Sequence, residues 1–185
     1  MTAGLADLVQ AALKSRGAAE RIRSSRGMLP VRPCGTDAQD RHPDLVVETP
    51  LADPAEARAA ASAYRETGYR VEVAALATSE ALSHLAALTD FLTSAGEHDE
   101  PMSWADHDAC AQSLLEVLAL LEADQLVDRV TVLRADHTVL YDNELIDGAW
   151  RRHPAAGRVV AYEWARPWSA QEAAVFRRDL IRTER

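Results

Sequence analysis

The sequence predicts an α/β fold in which a mainly parallel sheet is flanked by helices. Residues 45–47, 70–77 and 128–133 form apolar, β-branched segments with the length of buried strands. Segments with helical periodicity lie between them and start at capping residues. Strands that alternate with helices join in parallel, so we expect helices on both faces of the sheet.

The first 43 residues differ in composition from the rest of the chain. Residues 4–25 have helical periodicity, whereas residues 26–43 contain three prolines, two glycines and few apolar side chains. We therefore predict an N-terminal helix and irregular arm over 1–43, followed by one α/β domain over 44–185.

Helices in the domain are predicted wherever a residue can cap the first N–H groups of a periodic segment. The capping residues are Asp53 with Pro54, Thr78 or Ser79, Ser103, and Ser169 with Glu172. The helix that begins near Ser103 is expected to be the longest and to end at about Asp124.

A short antiparallel hairpin is predicted near 128–142. Its first strand is 128–133, and residues 135–137 turn the chain back. The polar residues Asp142, Asn143 and Glu144 are interpreted as turn residues that follow this hairpin.

Composition limits the class of protein. The net charge of −9 argues against a nucleic-acid or membrane-surface role, because phosphate groups attract clustered Lys and Arg. No apolar run approaches the roughly 20 residues that span a bilayer, and the chain does not open like a signal peptide, so a cytoplasmic protein is expected. Cys34 and Cys110 have no CxxC partner and predict neither a zinc site nor a disulfide.

The succession of segments over about 44–176 resembles the second half of the zeta-toxin family. The letters LVVETP, GYRVEVAALA and EWARPW and the His107-Asp108 pair carry this resemblance. Members of that family are P-loop kinases of toxin–antitoxin systems that phosphorylate UDP-N-acetylglucosamine and related amino sugars. The resemblance implies a P-loop-kinase-like fold that lacks its first part, ATP and Mg²⁺ as cofactors, and an amino-sugar nucleotide as ligand. It also implies that Glu48 and Ser83 lie on the substrate side and Arg166 on the nucleotide side.

Several cations that the family uses are missing from this sequence. The one lysine is Lys14, and no glycine-rich loop precedes it. In the motif that begins at Glu48, Pro50 and Ala52 stand where the family has threonine and arginine, and Trp164 replaces an arginine near Arg166. Phosphoryl transfer depends on cations that stabilise the phosphate oxygens. We therefore predict a family member without phosphotransferase activity and assign no catalytic residue.

Two alternatives remain open at the level of sequence. One is an active ATP-dependent kinase with a reorganised phosphate site, which is consistent with the presence of Glu48, Ser83 and Arg166. The other is a noncatalytic protein that binds a nucleotide sugar or a partner protein on the inherited surface. Arginines that converge on one pocket favour the kinase, whereas an apolar or acidic opening favours the interaction protein.

Histidines and acids cluster before and within the longest predicted helix. His98, Asp99, His107 and Asp108 can be drawn as metal ligands, but their spacing matches no strong zinc motif. Acids are favoured at helix N-termini for electrostatic reasons. The sequence therefore favours a solvated helix start, and no metal site is predicted.

The resemblance also predicts a gap in the sheet. In the family the strand that carries the P-loop is central, and only about forty residues precede Glu48 here. The strands at 45–49 and 128–133 are therefore expected to lack their common neighbour. Because unpaired backbone groups are costly, the chain should move its strands together, cover the gap with residues 1–43, or pair with another copy or a partner protein, and the last two in combination are favoured.

Overall fold

The structure is a computed structural model that describes residues 22–23, 47–49, 51–93 and 103–183. Most of the predicted N-terminal arm lies outside these residues. The two described residues of the predicted helix 4–25 form a strand instead, so the helix prediction is wrong there. Their parallel pairing with Val47–Glu48 outweighs the local helical periodicity.

Six strands are present in the described part of the chain: β1 (Ile22–Arg23), β2 (Val47–Glu48), β3 (Glu72–Leu76), β4 (Arg129–Leu133), β5 (Val139–Ile146) and β6 (Ala149–Trp150). Strands β1 and β2 form a small parallel sheet, and the others form a sheet in the order β3-β4-β5-β6. The β3–β4 pair is parallel, whereas β4–β5 and β5–β6 are antiparallel. The α/β fold class and the hairpin are thus confirmed, and the larger sheet is mixed.

The hairpin is longer than its predicted end. Asp142, Asn143 and Glu144 lie inside β5, so their interpretation as turn residues is wrong. The turn comes instead at Asp147 and Gly148, whose φ angles of 50° and 77° suit the tight turn that joins two antiparallel strands. Strand β6 follows directly.

Strand β4 does not lack a neighbour. It pairs with β3 on one side and with β5 on the other, so the expectation of a missing neighbour beside residues 128–133 is wrong. Within the described residues, the two edges of the larger sheet are β3 and β6, and neither pairs with a further strand. The pairing of β4 with β3 is complete, because each residue of Glu72–Leu76 has a partner in Arg129–Leu133.

Five helices are described: α1 (Pro54–Glu66), α2 (Glu80–Thr93), α3 (Trp104–Ala123), α4 (Ala156–Ala165) and α5 (Ala170–Thr183). The predicted caps form at α1, α3 and α5, whereas at the start of α2 Ser79 makes none, because its buried Oγ has no hydrogen-bond partner among the described residues. The carboxylate of Asp53 accepts a hydrogen bond from Ala55 N at 2.7 Å, and Ser103 Oγ accepts one from Asp106 N at 3.1 Å. At α5, Ser169 N donates to Glu172 and Glu172 N donates to Ser169 Oγ, which completes a reciprocal cap.

Helix α3 is the centre of the packing. Its side chains Val117, Leu118 and Leu121 are fully or almost fully buried. They belong to one apolar core with residues of α1, β4 and α4. The start of α3 lies beyond this core, where it contacts α2. No described helix is long and apolar enough to cross a bilayer.

Candidate functional site

Of the residues that resemblance assigns to the substrate and nucleotide sides, Ser83 and Arg166 make hydrogen bonds to different residues. Glu48 is the last residue of β2, and its side chain lies outside the described part of the structure. Ser83 lies in the first turns of α2 and bonds to His107 of α3. Arg166 directly follows α4 and bonds to two carboxylates. The structure therefore shows two distinct polar clusters.

The first cluster is a row of alternating charges around Arg166. Its Nε donates to Glu163 Oε1 at 2.8 Å, and its two Nη atoms donate to the Glu172 carboxylate at 2.5 and 3.0 Å. Glu163, which is buried, also receives two hydrogen bonds from Arg134, at 2.7 and 3.0 Å. Two guanidinium groups are thus matched by two carboxylates.

The hydrogen bonds between the arginines and the carboxylates of this row shift the pKa values of both kinds of group. Arg166, helped by the Ser169 backbone, holds the pKa of Glu172 far below its ordinary value. Arg134 is the main cause of the lowered pKa of Glu163, with a contribution from Arg166. The pKa of Arg166 is raised by Glu172 and then by Glu163. Every member of the row is therefore charged near neutral pH, and the charge of Arg166 is neutralised within the protein.

We expect the row to make stability sensitive to acid. A carboxylate with a lowered folded pKa contributes stability that is present above its ordinary value, here 4.5, and is lost as the pH falls through the folded pKa. Glu172→Gln, which keeps a cap acceptor, should cost about 0.5–1 kcal/mol at pH 7, because the pair is partly solvated. The difference from the unchanged protein should shrink below pH 4.5.

Urea unfolding at pH 7 and at several values below pH 4.5 measures this effect. Glu66→Gln, at an exposed position at the end of α1, is the control and should change little at any pH. A loss from Glu172→Gln that is equal at all pH values would contradict the ionic explanation.

The second cluster lies where the first turns of α2 and α3 meet. Ser83 Oγ is 2.9 Å from His107 Nε2, and His107 Nδ1 is 3.2 Å from Asp108 Oδ1. The same carboxylate oxygen is 2.8 Å from His84 Nε2. The ring of Trp104 packs on His84 with a centroid separation of 4.6 Å. We call Ser83, His84, His107 and Asp108 the imidazole cluster.

Two features define the chemistry of the imidazole cluster. Hydrogen bonds from His84 and then His107 lower the pKa of Asp108, so this carboxylate is ionised at neutral pH. The order hydroxyl, imidazole, carboxylate from Ser83 to Asp108 is that of an acid–base relay. In this cluster, however, one carboxylate oxygen serves two imidazoles, an arrangement that also presents three metal-type donors to one point.

Sequence reasoning found part of this cluster and missed a member. It paired His107 and Asp108 with His98 and Asp99, which lie outside the described residues. His84 was overlooked, because it precedes Asp108 by 24 residues and belongs to a different helix. A usable signal was its position next to Ser83, the residue already assigned by resemblance.

The chain is similar in sequence to a known family and in fold to a solved structure. The profile described as zeta toxin matches residues 27–146. A search of curated sequences finds no match. A solved structure from the PezAT chromosomal toxin–antitoxin system of Streptococcus pneumoniae is similar, with a TM-score of 0.60 and 21% identity. The alignment covers 76% of this chain but 55% of that one, so this chain spans about half the length of the similar structure.

Proposed function

The chain belongs to the zeta-toxin family, and we propose that it is a noncatalytic member, which does not transfer phosphate from ATP. The observation that carries the proposal is the pairing of Arg166 with Glu163 and Glu172. Arg166 is the cation that resemblance places on the nucleotide side, and its donors already face carboxylates. A nucleotide phosphate would have to displace both acids.

Other arginines of the sheet region are also engaged. Arg129 makes a bidentate pair with Asp142, and Arg70 bonds to Glu72 and Glu144. No Lys or Arg occurs between Arg70 and Arg129 in the sequence. A well-placed arginine can contribute roughly 10³–10⁵ in rate to phosphoryl transfer. The described residues therefore do not fit ATP and Mg²⁺ as the family uses them, which supports a noncatalytic role.

We expect the purified chain neither to hydrolyse ATP nor to phosphorylate UDP-N-acetylglucosamine with Mg²⁺. Labelled ATP, with separation of nucleotides and sugar nucleotides, measures both reactions, and an active kinase of this class serves as the positive control. The double change Glu163→Gln and Glu172→Gln removes the two acids from Arg166 and should still give no turnover, since the one lysine of this sequence, Lys14, follows no glycine-rich loop. Mg²⁺-dependent turnover that Glu48→Gln abolishes would establish the active-kinase alternative instead.

A noncatalytic member can still bind a ligand or a protein. Ser83 is half-buried in the imidazole cluster, and Glu48 ends β2, so an amino-sugar nucleotide is the ligand that resemblance favours. NMR titration with that nucleotide should shift signals of Ser83 and its neighbours. Shifts confined to residues 1–43 would argue against an inherited sugar site.

A protein partner is the second candidate. The similar structure belongs to a toxin–antitoxin system. In this chain, the side chains of Leu76 and Trp104 are each 49% exposed, at the end of β3 and the start of α3. Light scattering measures the molar mass of the purified chain in solution. A mass above that of one chain indicates self-association, whereas the mass of one chain indicates a monomer whose partner is a different protein.

A further inference from the structure

We propose that His84, His107 and Asp108 form a binding site for a divalent transition-metal cation, with Zn²⁺ as the best-matched ion. This site is independent of phosphate transfer and would exist in a noncatalytic protein. It joins two helices through three side chains whose donor atoms all lie within 4.8 Å of one another.

The donor set selects the class of cation. Two imidazole nitrogens and one carboxylate oxygen suit Zn²⁺ and related first-row ions, whereas Mg²⁺ and Ca²⁺ favour oxygen ligands. Zinc sites with three protein ligands leave a fourth position for water or a ligand. Asp108, at 49% side-chain exposure, lies on the open side, whereas His107 is only 12% exposed. The cation would therefore sit at a surface that a small molecule can reach.

Distances between the donors are close to those of a metal site. A tetrahedral zinc ion with bonds of about 2.0–2.1 Å separates its ligand atoms by about 3.3 Å. His84 Nε2 and His107 Nδ1 lie 2.8 and 3.2 Å from Asp108 Oδ1. A small rotation of Asp108, the most exposed of the three side chains, would open the cluster around a cation.

The hydrogen bond between Ser83 and His107 supplies the outer partner that metal-binding histidines need. When Nδ1 of His107 binds a metal, its proton resides on Nε2, which is 2.9 Å from Ser83 Oγ. Such a bond fixes the tautomer and the ring orientation of a ligand. Trp104 packs on the His84 ring and limits its rotation. Both imidazoles are thus held in place before a metal arrives.

Charge around the cluster also favours a cation. Neither helix that supplies the ligands carries a Lys or Arg that would repel a metal, since none occurs from residue 71 to 128.

Calorimetric titration of the full chain, free of any histidine tag and of bound metal, with ZnCl₂ tests the site. We expect one tight equivalent, and a Co²⁺ titration should give visible absorption typical of a four-coordinate ion with nitrogen and oxygen ligands. His84→Gln and Asp108→Asn should each weaken Zn²⁺ binding by more than about 100-fold. Ser83→Ala should weaken it less, by roughly 10-fold, as expected for the loss of an outer hydrogen bond.

Two variants serve as matched controls. His137→Asn changes an exposed histidine in the β4–β5 turn, where asparagine tolerates the positive φ of 67°. Cys110→Ser removes a thiol that lies one helical turn from His107. Both should bind Zn²⁺ as the unchanged chain does, and circular dichroism should show every variant folded. Unchanged affinity in His84→Gln and Asp108→Asn, or a loss in Cys110→Ser, would overturn the assignment.

Discussion

Replacing Glu122 by leucine is expected to destabilise the protein by about 2–5 kcal/mol, although leucine is close in size and more apolar. Glu122 lies in α3 and is 2% exposed. Its carboxylate accepts hydrogen bonds from Tyr141 Oη at 2.6 Å and from Ala156 N at 2.8 Å. Leucine would leave both donors buried without this acceptor.

The bond to Ala156 explains why an acid occupies the core. Ala156 is the first residue of α4, and the preceding residue, Ala155, has no side chain that can cap the helix. The carboxylate of Glu122 reaches across from α3 and supplies this cap, where the helix dipole favours a negative charge. One side chain thus joins α3, α4 and β5.

Tyr141 belongs to the same hydrogen-bond network as Glu122. Burial and the neighbouring carboxylate of Glu122 raise the pKa of Tyr141 to about 12. The Tyr141 hydroxyl also accepts a hydrogen bond from Asn143 Nδ2 at 2.8 Å. Because the network is cooperative, Tyr141→Phe and Glu122→Leu should not be additive when they are combined.

Urea unfolding measures the free energy of each variant. Glu116→Leu, at an exposed position of the same helix, is the matched control and should change stability by less than about 0.5 kcal/mol. A Glu122→Leu protein as stable as the unchanged chain would show that the network contributes nothing beyond apolar packing.

Sequence alone predicted the elements whose signals are local. Helix α3 begins after Ser103 and ends before Asp124, as its cap and periodicity indicate. The same holds for α1, with Asp53 and Pro54 at its start, and for the strand 129–133. In each case a short stretch of chain contains both the propensity and the boundary signal.

Features that depend on distant residues were not predicted. The burial of Glu122 is an example, because an acid in a helix normally faces solvent. A signal existed, since Glu122 follows Leu118 by four residues and so shares its buried face. The turn at Asp147-Gly148 was also overlooked, although this dipeptide is a strong hairpin signal.

The imidazole cluster shows most clearly what could not be predicted from the sequence. Ser83 entered through resemblance and His107 through its pairing with Asp108, but nothing in the sequence places α2 beside α3. That contact depends on how both helices pack in the folded protein. Only the folded chain brings His84 to Asp108.

Replacing Gly157 by valine is the second change expected to have a large effect, at about 3 kcal/mol of lost stability. Gly157 is the second residue of α4, where this helix crosses α3. A Cβ at this position would lie 2.8 Å from the backbone carbonyl oxygen of Leu115. Backbone cannot rotate away as a side chain can, so the two helices would have to separate.

Replacing Gly157 by alanine has two opposing effects on stability. In a helix, alanine is favoured over glycine by up to about 1 kcal/mol. Overpacking against a rigid neighbour costs about 1–3 kcal/mol. We therefore expect Gly157→Ala to be destabilising by a smaller amount than Gly157→Val, and never stabilising.

The spacing of α3 and α4 also matters for Glu122, whose carboxylate spans it to reach Ala156 N. A wider gap would lengthen that bond, so part of the loss in Gly157→Val should disappear when Glu122 is already leucine. Urea unfolding of the single and double variants measures this coupling, and Ala165→Val, at an exposed position of α4, is the control for a β-branched residue in the helix. If Gly157→Ala stabilises the protein, helix propensity outweighs the contact with Leu115, and the close approach of the two helices is not what requires glycine.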